Sequence, residues 1–161
     1  RLYQMKIPMK INGEEITLEC NPDKNMLSIL REQGCLSVKA GCEEGICGSC
    51  TVLLDNVPVP SCCLPASLAR NSEIVTLEHF RKSAEYKIIT NGFKKAGITL
   101  CGYCNAAKIF AAYQIISINK SLTREDIALQ LQGIAPCCTD KDTLINGIIY
   151  AIRDNTVKGA D

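Results

Sequence analysis

The sequence contains no tryptophan, only one histidine and few aromatic residues, and it is almost neutral. A formal net charge of +1 over 161 residues does not favour a nucleic-acid or anionic-membrane binder. No apolar run approaches the ~20 residues that a membrane span needs, and we expect no secretory leader. We find no set of nucleophile, base and orienting group, and no glycine fingerprint for FAD or NAD. We therefore expect no substrate chemistry on this chain alone.

Cysteine is the residue in excess, with 11 copies. A disulfide framework, zinc sites and iron–sulfur clusters are the competing explanations. Disulfide-rich chains are usually secreted and too small for a proper core, whereas 47% of this chain is hydrophobic. Zinc fingers and ribbons use paired C-x2-C units or histidines, and His79 lies far in sequence from every cysteine group. Iron–sulfur clusters in a reduced, cytoplasmic protein are therefore favoured.

The first cysteine group has the plant-type spacing of a [2Fe-2S] site, with four residues between its first two cysteines and two between the next pair. Glycines beside or between the cysteines let backbone N–H groups turn toward anionic sulfurs. Cys62 and Cys63 are both candidates for the fourth ligand. We favour Cys62, because neighbouring residues of an extended chain point in opposite directions. The predicted ligands are Cys42, Cys47, Cys50 and Cys62.

Short segments around this group alternate apolar and polar residues, which predicts strands. Asn12-Gly13 favours the tight turn of a hairpin, and the prolines of residues 57–60 suit an edge strand. Cys20 and Cys35 stand alone and are expected in the core. The predicted elements are strands 7–11, 16–20, 51–54, 57–60 and 73–77, with one helix from 26 to 34. They fit a small β-grasp domain with the cysteine loop between helix and hairpin.

The second half of the chain has helical periodicity instead. Its apolar residues recur at intervals of three and four, as at Ile145, Ile148, Ile149 and Ile152. The predicted helices span residues 86–97, 103–120, 123–132 and 142–154, and we expect them to pack as a four-helix bundle. A short polar connector should join the halves. The predicted fold class is α+β, with the β-grasp domain over residues 1–78 and a helical domain over residues 84–161.

A second cysteine group lies in the helical half. Cys101 and Cys104 open one predicted helix, and Cys137-Cys138 precedes another. Helix N-termini are electropositive and present free N–H groups, which suits an anionic cluster. The C-x2-C spacing also serves zinc and thiol redox chemistry, so spacing alone leaves these alternatives open.

Together the motifs resemble one family. Three segments carry the resemblance: Gly41-Cys42-Glu43-Glu44-Gly45-Ile46-Cys47-Gly48-Ser49-Cys50, then Ser61-Cys62, then Cys101-Gly102-Tyr103-Cys104 with the late cysteine pair. They are similar to the small iron–sulfur subunit of the xanthine dehydrogenase and aldehyde oxidoreductase (molybdenum hydroxylase) family. The resemblance covers nearly the whole chain. It implies a plant-ferredoxin-like N-terminal domain and a four-helix C-terminal domain. It also implies one [2Fe-2S] cluster in each, an outer one on the first group and an inner one on Cys101, Cys104, Cys137 and Cys138. It also implies electron flow from molybdopterin in a large partner subunit, through both clusters, to FAD in a third subunit.

Two positions depart from the family pattern. The family usually ends its second motif as Cys-Arg-Cys, where this chain has Pro136-Cys137-Cys138. Gapless alignment places Cys138 at a ligand position and Cys137 at the arginine. Cys137 must either reach across from the neighbouring position or leave an iron short of a thiolate, and our hypothesis is that Cys137 replaces the ligand lost at Pro136. The family also commonly has a pterin-contacting glutamine where this chain has Leu100.

The leading hypothesis is an electron-transfer subunit of an oxidoreductase complex. The alternatives are a free-standing ferredoxin-like carrier and a redox-sensing iron–sulfur protein without a molybdopterin partner. Reversible one-electron titration favours transfer, whereas cluster loss with thiol oxidation favours sensing.

Overall fold

The computed structural model describes residues 3–118 and 121–158, with side chains described as far as residue 156. The N-terminal half contains a five-stranded sheet and one helix against it. The strands are β1 (Met5–Ile11), β2 (Glu14–Cys20), β3 (Thr51–Leu54), β4 (Val57–Pro60) and β5 (Glu73–Val75), and the helix is α1 (Met26–Glu32). The spatial order is β2-β1-β5-β3-β4, in which β1 and β5 are parallel and the other pairs antiparallel. The predicted strands and helix are confirmed within two or three residues.

Local sequence explains both hairpins. Asn12 and Gly13 have φ of 53° and 88°, the left-handed values of a two-residue turn, and Met9 pairs with Ile16 across the ladder. Strand β4 lies at the edge of the sheet, where its prolines remove no needed ladder donor.

Helix α1 closes the N-terminal core. The Asn25 side chain caps it by accepting from the Ser28 backbone N–H at 2.9 Å. Its apolar face packs with the inner residues of the sheet, and Cys35 is buried in the same core, as expected. Cys20 is half-buried against that core.

The rest of the chain is helical. Its helices are α2 (Leu77–Phe80), α3 (Ala84–Lys95), α4 (Asn105–Ile118), α5 (Arg124–Gln130) and α6 (Lys141–Lys158). Ser83 caps α3, and Thr123 forms a reciprocal capping box with Asp126 at the start of α5. The predicted helices are confirmed with shifted ends, while residues 119–120 of the predicted 103–120 helix lie outside the described part of the chain.

The segment expected to be a polar connector between the halves is partly buried and packs against the helical half. Residues 77–80 form α2, and Phe80 is buried with its ring against those of Tyr86, Phe110 and Tyr113 at centroid distances of 5.1–6.3 Å. Leu53 of the sheet also belongs to this second core. The two halves therefore share apolar contacts.

Helices α3 and α6 approach closely because small residues face each other. A Cβ on Gly92 would lie 2.5 Å from the Gly147 carbonyl oxygen and 2.6 Å from the Ala151 backbone nitrogen. Within the described residues, no helix is long and apolar enough to cross a bilayer.

Gly92→Ala tests this close packing. In an open helix the change would stabilise by up to about 1 kcal/mol. Here we expect a loss of about 1–3 kcal/mol, because backbone atoms of α6 must move. Thermal unfolding followed by circular dichroism should show a lowered midpoint for Gly92→Ala. The control, Asn91→Ala on the exposed face of α3, should leave the midpoint unchanged or slightly higher. An unchanged or higher midpoint for Gly92→Ala would contradict the packing described.

Candidate metal centres

The outer cysteine group is built around backbone donors that converge on one sulfur. The N–H groups of Cys47, Ile46 and Glu44 lie 3.2, 3.3 and 3.4 Å from Cys42 Sγ. Donation from these three amides, Cys47 first, lowers the pKa of the Cys42 thiol to about 6. The loop therefore stabilises a thiolate, the form that binds iron.

Two glycines are required for this loop to close. A Cβ on Gly41 would lie 2.4 Å from Cys47 Sγ, so no side chain fits there. Gly48 has φ of +75°, and a Cβ on it would lie 2.4 Å from that of Ala107 in α4. The outer loop thus rests directly on the helical half.

Cys50 and Cys62 complete the outer group from the buried side. Burial raises the pKa of both thiols, and the two side chains are hydrogen-bonding neighbours. The Gly45 N–H donates to Cys62, which ties the loop to the end of β4. Gly45 thus connects the loop of Cys42 to the pair Cys50 and Cys62, and this amide-rich loop fits an anionic [2Fe-2S] cluster, which four thiolates would hold.

Cys63 does not point away as an extended chain would require. Ser61–Cys63 forms a 3-10 turn, so neighbouring side chains do not alternate, and Cys63 Sγ lies 3.7 Å from Cys62 Sγ. The prediction that Cys63 points in the opposite direction to Cys62 is therefore wrong. Burial separates them instead, since Cys62 is buried and Cys63 is exposed.

The inner group brings its cysteines together from two loops. The Sγ atoms of Cys101, Cys104 and Cys137 all lie within 4.8 Å of one another. Cys138 Sγ accepts from the Cys101 backbone N–H at 3.3 Å. Cys137, at the position aligned with arginine, is therefore the residue whose sulfur joins the C-x2-C pair.

The thiols of the inner group have divergent acidities. Backbone N–H donors from Tyr103 and Cys104 lower the pKa of Cys101 to about 7. Hydrogen bonds from Cys137 to the sulfurs of Cys104 and Cys101, with their charge, raise the pKa of Cys137 to about 11. Three converging thiol ligands and one adjacent thiol fit a metal centre of the [2Fe-2S] or zinc type.

The two cysteine groups meet at the junction of the halves. The Tyr103 hydroxyl of the inner motif and Cys47 Sγ of the outer loop lie 2.8 and 2.4 Å from the point where a Gly41 side chain would begin. The Lys39 ammonium, from the N-terminal half, donates to the Gly102 carbonyl. Residues of one motif thus contact residues of the other directly.

Sequence reasoning missed Lys108. It is almost fully buried, and its Nζ lies 2.9 Å from Cys104 Sγ. The available signal was its position as the one charged residue in the apolar sequence of α4, one helical turn after Cys104.

The divergent acidities predict an order of thiol alkylation in the cluster-free protein, since only the thiolate reacts. At pH 7, Cys42 is mostly thiolate and Cys101 about half, whereas Cys137 is protonated. Iodoacetamide labelling read by mass spectrometry should modify Cys42 and Cys101 well before Cys137. The Cys137 rate should rise about tenfold per pH unit up to its pKa, while the Cys42 rate is flat above pH 7. Equal rates at the exposed Cys101 and Cys137 would contradict the electrostatics described.

Comparison with known proteins agrees with both groups. Residues 9–74 match the family described as 2Fe-2S iron-sulfur cluster binding domain, and residues 76–149 match the [2Fe-2S] binding domain family. The chain is 35% identical to the nicotinate dehydrogenase small FeS subunit of Eubacterium barkeri, over 94% of this chain and 98% of that protein. It is also 35% identical to the xanthine dehydrogenase iron-sulfur-binding subunit of Escherichia coli O157:H7, over 89% and 91%.

Solved structures show the same likeness over the whole length. A chain of quinoline 2-oxidoreductase from Pseudomonas putida 86 superposes with a TM-score of 0.82 at 29% identity, covering 98% of this chain and 99% of that one. The matches in sequence and structure extend across both cysteine groups. The chain therefore belongs to the small [2Fe-2S] iron–sulfur subunits of the xanthine dehydrogenase and aldehyde oxidoreductase (molybdenum hydroxylase) family.

Proposed function

We propose that this chain relays electrons within a multi-subunit molybdenum-hydroxylase-type dehydrogenase, between a molybdopterin subunit and a FAD subunit, in the cytoplasm. Residues 1–78 hold the outer cluster and residues 84–161, as a four-helix bundle, hold the inner one. When bound, the two [2Fe-2S] clusters supply one-electron transfer. The proposed ligands are Cys42, Cys47, Cys50 and Cys62 for the outer cluster, and Cys101, Cys104, Cys137 and Cys138 for the inner one.

The observation that carries this proposal is the contact between the two motifs. Tyr103 lies between the cysteines of the inner pair in sequence, yet its hydroxyl approaches Gly41 and Cys47 of the outer loop. Gly48 against Ala107 keeps the loop on α4. Two centres held this close on one chain suit stepwise electron transfer, which a storage or scaffold site would not require.

The inner ligand set departs from the family pattern, and the structure supplies a physical reason for accepting it. Cys137 Sγ lies 3.8 Å from Cys101 Sγ, so Cys137 replaces the ligand lost at Pro136. Cys138 lies close enough to receive an N–H from Cys101 and serves as the fourth ligand.

Leu100 changes the expected contact with the pterin. Its side chain is half-buried against the helical core. We therefore assign no polar pterin contact to position 100, and contact with molybdopterin falls to other residues of the inner motif. The large subunit is consequently the partner that co-purification should test first.

A redox-sensing role is the second candidate, and Cys63 is the observation that favours it. This exposed thiol lies 3.7 Å from Cys62 Sγ, so its oxidation would act directly beside a proposed cluster ligand. Sensing requires outer-cluster loss with Cys62–Cys63 oxidation at mild potential. Reversible one-electron titration without loss of iron would exclude it.

Two variants test whether Cys137 is a cluster ligand. Cys137→Ser removes the proposed ligand, and Cys63→Ser is the matched control, since both residues are exposed and each has a cysteine neighbour. The unmodified protein should contain iron and acid-labile sulfide equivalent to two clusters and give two reduced EPR species. Cys137→Ser should lose the inner-cluster signal and about half the iron, whereas Cys63→Ser should keep both signals. One cluster per chain with a single reduced EPR species would refute the two-cluster assignment.

Isolation of the complex from its native host tests the partners. We expect molybdenum, pterin and flavin to co-purify in stoichiometric amounts with this chain. A homogeneous preparation that carries iron and sulfide alone would instead support the free-standing carrier.

A further inference from the structure

Lys108 is a buried cation in an otherwise apolar helix. Only 1% of its surface is exposed, and every other residue of α4 is uncharged. Long lysine side chains usually extend their ammonium to water, even from apolar surroundings. Lys108 instead directs its Nζ inward, toward Cys104 Sγ at 2.9 Å and the Ala135 carbonyl oxygen at 3.4 Å.

In the described part of the chain no carboxylate lies within ion-pair distance of this ammonium; Asp140 lines the cavity beside Lys108 but is exposed. Within residues 3–118 and 121–158 the ion pairs are Lys24–Glu32, Lys95–Asp154 and Arg124–Asp142, and none includes Lys108. Burying an ammonium group without a negatively charged partner is strongly unfavourable. The ammonium is therefore stabilised when the Cys104 sulfur carries negative charge, as a cluster-bound thiolate does.

The position of Lys108 in α4 increases the need for negative charge at the Cys104 sulfur. Lys108 lies in the first turn of α4, which begins at Asn105. The N-terminus of a helix carries partial positive charge, so a cation in this turn is destabilising by itself. Burial and the helix dipole thus oppose the ammonium independently, and a thiolate-bound cluster at Cys104 would offset both.

We propose that Lys108 tunes the inner cluster, by donating a charge-assisted hydrogen bond to Cys104 Sγ and raising that cluster's reduction potential. This inference rests on the proposed function, because it requires a cluster on the inner cysteines. Reduction adds negative charge, and a buried positive charge beside a ligand sulfur stabilises the reduced form more than the oxidised form. The outer cluster has no counterpart of this kind on Cys42, whose sulfur receives neutral backbone donors.

Redox titration of the cluster-loaded protein, monitored by EPR, tests this role. Lys108→Met removes the charge and the donor at similar length, and Lys108→Gln retains a neutral donor. Lys141→Met is the control, since Lys141 is exposed at the start of α6 and lines the small cavity beside Lys108. Iron and sulfide content of the unmodified protein is measured first.

We expect Lys108→Met to make reduction of the inner cluster at least about tenfold less favourable, which is about 59 mV for a one-electron couple. Lys108→Gln should shift the same midpoint less. The outer-cluster midpoint should be unchanged in every variant, and Lys141→Met should match the unmodified protein at both clusters. A purely structural lysine would alter thermal stability without moving one midpoint selectively.

Three results would overturn the inference. They are an unchanged inner midpoint in Lys108→Met, an equal shift at both clusters, and loss of the inner cluster from both Lys108 variants, which would indicate an assembly role instead. A single cluster in the unmodified protein would refute the proposed function itself. Two clusters with an unchanged midpoint in Lys108→Met would refute only the tuning role.

Discussion

The approach of Gly48 to Ala107 is the contact on which the arrangement of the two cysteine groups depends. A Cβ at position 48 would lie 2.4 Å from the Ala107 Cβ, so the outer loop can rest on α4 only through a residue without a side chain. The same helix begins one residue after Cys104. A single contact thus links the loop that carries the outer cysteines to the helix that positions the inner ones.

The two groups stabilise negative charge in different ways. The outer loop uses neutral backbone N–H groups, three of which reach Cys42 Sγ. The inner group combines such donors at Cys101 with the buried ammonium of Lys108 at Cys104. Because a formal charge acts more strongly than an amide dipole in a dry interior, the two centres are chemically unequal even though both use cysteine sulfur. An electron shared by two unequal centres would reside mainly on the one with the higher reduction potential.

Local rules in the sequence predict most of the fold. Asn12-Gly13 gives the first hairpin, and Thr123 with Asp126 gives the cap of α5, because each depends on residues a few positions apart. The anchoring of Phe80 was not predictable in this way, since its ring packs against residues of α3 and α4.

The candidate sites show the same limit. Cysteine spacing identifies both groups, but the 3-10 turn at Cys62-Cys63 and the convergence of Cys137 with Cys101 are tertiary facts. Lys108 has no motif, and its importance follows from burial beside a ligand.

The central claim is that two clusters lie side by side on one chain. The most direct test is low-temperature EPR of the fully reduced, cluster-loaded protein. The structure predicts two S = 1/2 signals that are split or broadened by their magnetic interaction, because Tyr103 of one motif touches the loop of the other. A single signal, or two signals without any interaction, would contradict the account.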